Sequence, residues 1–112
     1  MAFPSHSMAL EYAPRGLIGV LTPQANTTVE PELAALLPPG VAMVDARLTG
    51  PRPGMVERLL DYLRDLEEAA ARSANAPVSA IAFACTGSSY YAGPLEETAI
   101  VARMVAAPGC RW

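Results

Sequence analysis

Two short stretches hold the residues whose types could do chemistry. AFACTGSSYYAG (82–93) runs an apolar segment into a cysteine, Cys85, and then into Thr86, Gly87, Ser88 and Ser89. TPQANTT (22–28) places Asn26 among small polar residues after another apolar run. A thiol at the end of an apolar segment is more often a small apolar residue than a reactive one. The polar loop behind Cys85 changes that balance. Backbone N–H groups in such a loop, leading into a helix, suit an anion such as a carboxylate, and the same field favours a thiolate. Asn26 is either a turn or helix-end residue, or an amide aimed at a substrate carboxylate. Ser88 and Ser89 either satisfy their own loop or meet a ligand, and Tyr90 and Tyr91 either wall a pocket or pack beneath the loop.

Composition removes several rival chemistries. All eight basic residues are Arg and none is Lys. A Schiff base, a pyridoxal-phosphate site and a P-loop all need a lysine. His6 is the single histidine and sits in a Pro- and Ser-containing lead-in, so a Cys–His pair or a Ser–His–Asp triad is not expected. No CxxC and no GxGxxG occurs, so neither a zinc site nor a dinucleotide cofactor is supported, and no metal or cofactor is expected. Cys110 follows Gly109 and reads as a structural thiol. The net charge of −3 argues against a nucleic-acid partner. No apolar run is long enough to span a bilayer, and no signal peptide is evident. The expectation is a soluble, cytoplasmic protein with reduced thiols.

The elements that must position Cys85 and Asn26 follow from periodicity. Residues 1–14 read as a loose lead-in. Gly16–Pro23 and Val41–Leu48 are apolar runs closed by turn residues, and 78–85 is a third; each reads as a buried strand without a polar face. Between the first two, Val29, Leu33, Leu36 and Leu37 share a helical face, with Thr27 and Glu30 as a capping box and Pro38-Pro39-Gly40 as a stop. From Pro53 to about residue 75, Val56, Leu59, Leu60, Leu63, Leu66 and Ala70 recur at helical spacing, which predicts one long amphipathic helix. A last helix begins at Pro94, carries Glu96 and Glu97 in its first turn and ends at Gly109. The order β-α-β-α-β-α predicts an α/β fold: a three-layer, doubly wound parallel sheet, a flavodoxin-like half-sheet. Ligands of such sheets bind beyond the carboxyl ends of the strands, where both polar loops emerge.

GLIGVLTPQANTTVEPEL and IAFACTGSSYYAG together resemble the maleate cis–trans isomerase and arylmalonate decarboxylase branch of the aspartate/glutamate racemase superfamily. The resemblance covers about residues 15–112. It implies the N-terminal lobe of a two-lobed, cofactor-independent enzyme acting on carbon beside a carboxylate of a small dicarboxylate. By the same resemblance, Cys85 is the nucleophile, Asn26 binds a carboxylate, and Thr86, Gly87 and Ser88 belong to the carboxylate-holding loop. Decarboxylases of this branch typically lack a cysteine at the Cys85 position, so the resemblance favours an isomerase or racemase. The second lobe and its cysteine are absent from the sequence, which implies truncation before a fourth strand, and a homo-oligomer or a complementary lobe as partner. The alternatives are an arylmalonate-type decarboxylase, a noncatalytic module binding a small acid or a partner protein, and a redox-responsive thiol domain.

Overall fold

The computed structural model describes residues 10–73 and 75–106. His6, Cys110, the helix stop at Gly109 and the site of the expected fourth strand lie outside the described residues. The chain forms β1 (Gly16–Pro23), α1 (Val29–Leu36), β2 (Val41–Leu48), α2 (Met55–Arg64), α3 (Leu66–Ala71), β3 (Ala80–Phe83), α4 (Thr86–Ala92) and α5 (Pro94–Ala106). The three strands make one all-parallel sheet in the order β2-β1-β3, flanked by helices. The architecture is the expected α/β one, compatible with a flavodoxin-like half-domain.

Among the described strands, β1 is the centre, with a partner on each side. Its whole length pairs with β2, from Gly16 opposite Val41 to Pro23 opposite Leu48. β3 pairs with β1 from Ile18–Ala80 to Leu21–Phe83, and single ladder bonds continue at both ends, Ser79 N to Leu17 O at 2.7 Å and Ala84 N to Leu21 O at 2.9 Å. The observed β3 is shorter than the apolar run that foretold it, since beyond Ala80 and Phe83 the regular ladder with β1 thins to those single bonds.

Strand side chains alternate between faces, so the register sorts the sheet into two surfaces. On one, Leu21, Leu48 and Ile81 meet Tyr62, Leu63, Leu66, Ala69 and Ala70 of α2 and α3 and Ile100 and Met104 of α5, all buried. Each large apolar side chain in that cluster contributes about 1.5–3 kcal/mol by leaving water. On the other face stand Val20, Thr22, Asp45 and Arg47. The expectation that the strands lack a polar face therefore fails for β2: Asp45 and Arg47, two residues apart, put their charges on one side.

The long helix expected after Pro53 is two helices. Asp65 leaves helical geometry (φ −95°, ψ 12°) between α2 and α3. Leu63 and Leu66 both reach the core, whereas Val56 and Leu60, expected on the same stripe, are exposed. In α1 the expected apolar face is largely unburied: no residue of the helix is buried, and Leu36 is 78% exposed. In the lead-in, Ala13 is buried and its N–H bonds the Leu10 carbonyl.

The stretch 86–92, expected to be a loop, is helical. Cys85 occupies the N-cap, and Gly93 ends α4 at φ +88°, ψ 163°, a conformation that costs a residue with a Cβ about 1–3 kcal/mol. Pro94 then opens α5, where its fixed φ suits a first turn. No helix among the described residues is long and apolar enough to cross a membrane.

Candidate functional site

All three strands run parallel, so β1, β2 and β3 release their loops at one edge of the sheet. The loop after β1 holds Asn26, the loop after β2 spans 49–54, and β3 passes through Ala84 to Cys85. Side chains tie the first two loops together. Gln24 Oε1 accepts the Gly50 N–H at 2.6 Å, and Arg47 Nη1 donates to the Pro23 carbonyl at 3.0 Å and to the Asn26 carbonyl. The loop after β2 is in turn fixed to α2. Arg52 donates from Nε and Nη2 to the two Asp61 carboxylate oxygens at 2.8 and 2.7 Å, and Arg64 adds a contact at 3.0 Å. The Arg52 hydrogen bonds, opposed by burial and aided by the charges of Arg52 and Arg64, hold the Asp61 carboxyl below its ordinary range.

Asn26 is half-buried. Its Oδ1 accepts the Thr28 and Val29 N–H groups at 2.8 and 2.9 Å, so it satisfies two of the orphan donors at the start of α1. The expected capping box is replaced by this arrangement. Thr28 makes no side-chain cap, and Glu30 pairs with Arg47 instead of reaching back along the helix. The reason is electrostatic: a guanidinium already bound to the turn offers a carboxylate more than a backbone N–H does. One consequence is chemical. Backbone donors fix which end of the Asn26 amide is oxygen, so Nδ2 with its two N–H groups is the end left for other partners.

Cys85 is half-buried, and its Sγ accepts the Ser88 hydroxyl at 3.3 Å. Ser88 itself is fully buried, so its hydroxyl serves the thiol from the inside of the first turn of α4. Thr86 is exposed. Gly87 packs against α2, where an added Cβ would lie 3.4 Å from Leu59 Cδ1, so a small residue lets α4 approach α2 closely. The thiol borders a cleft of about 190 Å³ lined by Leu63, Phe83, Ile100, Met104 and the Glu97 carboxylate. Beside it, a shallower pocket of about 420 Å³ shares Thr86, Ser89 and Glu97 and adds Tyr90.

The structure thus gathers Cys85 with Ser88, Thr86 and Gly87, and separately gathers Asn26 with Arg47. Both sets stand at the same edge, at the ends of neighbouring strands, but no hydrogen bond joins them. Cys85 packs toward the α2/α5 face, whereas Arg47 reaches Asn26 from the opposite face. Two residues of the site were missed from sequence. Arg47 had a signal, a charged pair at alternate positions within an apolar strand. Glu97 had none, since it read only as a favourable charge in a first helical turn. Among the described residues, no group of three or more His, Cys, Asp or Glu side chains could hold a metal ion. No protein-family model, curated protein or solved structure matches the chain.

Proposed function

We propose that this chain supplies the thiol-bearing lobe of a cofactor-independent isomerase or racemase for a small dicarboxylate, akin to the maleate isomerase branch of the aspartate/glutamate racemases. The observation that carries the reading is the state of Asn26. Its oxygen is committed to the helix start, and its two Nδ2 hydrogens remain as carboxylate donors at the edge where Cys85 emerges. Cys85, as thiolate, adds to one alkene carbon of a maleate-like diacid. The π electrons move toward the adjacent carboxylate, and the new C–C single bond rotates. Expulsion of the thiolate re-forms the double bond in the trans geometry, with no net change in atoms. The Asn26 amide and the Thr86 and Gly87 N–H groups stabilise the charge that develops during addition. A second lobe or a second copy closes the site and excludes water.

Thiol labelling tests this. Cys85 is alkylated with neutral iodoacetamide, with and without maleate, and the modified residue is located by peptide mass. Maleate is expected to slow labelling at Cys85 by about tenfold at saturation, and Asn26→Ala is expected to need about tenfold more maleate for the same protection. Labelling at Cys85 that proceeds at the same rate with and without maleate overturns the reading.

A further inference from the structure

Arg47 engages four other residues at the carboxyl edge of the sheet. Its Nη1 donates to the carbonyls of Pro23 and Asn26, which bracket the turn after β1. Its Nη2 meets Glu30 in the first turn of α1, and its Nε lies 3.9 Å from Asp45 Oδ2. Asp45 is itself held by the Thr22 hydroxyl, and Thr22 is fully buried. The backbone carbonyl of Arg47 accepts Arg72 Nη1 at 3.1 Å, so the base of the side chain is also anchored. With two carboxylates facing one guanidinium, Arg47 has no surplus positive charge to offer a ligand. Its planar fork instead spans two carbonyls of the turn and the Glu30 carboxylate of α1, a geometry that a lysine's point charge does not reproduce.

We propose that Arg47 is a positioning residue for Asn26. By gripping the Asn26 carbonyl and the Glu30 carboxylate together, it holds the turn in the one conformation in which Asn26 Oδ1 caps α1 and Nδ2 is free to donate. The inference rests on the dicarboxylate reading for its functional consequence, but the mechanical step does not. Freed from Arg47, the turn samples other conformations, the Thr28 and Val29 cap bonds open more often, and the carboxylate donor is no longer preorganised.

Two measurements separate the mechanical step from its consequence. Amide hydrogen exchange followed by NMR reads the cap directly. Arg47→Met is expected to speed exchange of the Thr28 and Val29 amides by about tenfold or more, with Ala84, on the far side of β1, unchanged. Arg47→Lys, which keeps the charge and is the safer variant for folding, is expected to fall between wild type and Arg47→Met. Unchanged exchange at Thr28 and Val29 in both variants overturns the proposal, whatever the ligand result. Maleate protection of Cys85 reads the consequence. Arg47→Met is expected to weaken the apparent affinity for maleate by about tenfold while leaving the labelling rate without maleate within twofold. In an Asn26→Ala background the same change should have no further effect on protection, because the residue it positions is gone. Additive losses in the double variant overturn the positioning role and leave the dicarboxylate reading standing. Loss of maleate protection in wild type sinks that reading, while the exchange result still decides whether Arg47 holds the cap.

Discussion

Leu21 and Thr22 are neighbours in β1, and both are fully or almost fully buried, yet they face different worlds. Leu21 points into the cluster built by α2, α3 and α5. Thr22 points to the side of α1, where its hydroxyl meets Asp45, and Asp45 stands beside Arg47 and Glu30 in a chain of charges. One face is held by apolar area and dispersion. The other is held by hydrogen bonds and ion pairs under a helix that buries none of its own residues. The contrast shows where stability and adaptability divide in this fold. Apolar burial is non-directional and tolerates small shifts, whereas the polar face depends on exact partners and gives a definite geometry to the turn that bears Asn26.

Substitutions at the two faces should separate these roles. Leu21→Ala opens a cavity in the apolar cluster and is expected to cost about 2–5 kcal/mol in urea unfolding. A loss below 1 kcal/mol would mean that the apolar face does not dominate. The next effect comes from Asp61, a buried carboxylate on α2. Asp61 has its folded-state pKa depressed, chiefly by hydrogen bonds from Arg52. Its contribution is present above the ordinary carboxylate pKa of about 4 and is lost as pH falls below that value toward the lower folded pKa. Asp61→Asn should therefore be destabilised most above about pH 5, and its deficit relative to wild type should shrink on acidification. A deficit that stays constant with pH would assign the effect to packing of α2 instead. The smallest change is expected for Thr22→Val, which keeps the buried volume and removes only the bond to Asp45. About 1 kcal/mol should be lost, with Asp45 turning toward water. A loss as large as that of Leu21→Ala would erase the distinction between the faces.

Much of this was legible in the sequence, and the reasons are local. β1 is an apolar run ended by Pro23, and β2 is a largely apolar one, interrupted by Asp45 and Arg47, ended by the turn residues beyond Leu48, so their bounds could be read directly. The parallel sheet followed from alternation with helices. Positions whose burial depends on packing angles were harder. Val56 and Leu60 share a helical stripe with Leu63 within α2 and yet stay exposed, and nothing in the sequence near Asp65 reads as the stop that divides α2 from α3. The helix over 86–92 was hidden because Thr, Gly and two Ser are weak helix formers, although Gly93-Pro94 marked its end. At the site, Cys85 and Asn26 were visible because each follows an apolar run in a polar loop. Their present neighbours were not, since the Arg47–Asn26 contact and the cleft that Cys85 and Glu97 both line arise only in the folded sheet.

The placement of β1 between the other two strands has a consequence for biosynthesis. It is the first strand of the sheet to be translated, and it is among the most water-averse parts of the chain. Ile18 cannot dock on Ala80 until β3 has left the ribosome, so one flank of β1 stays unprotected until then. This nascent segment is where a holdase chaperone would have most to shield.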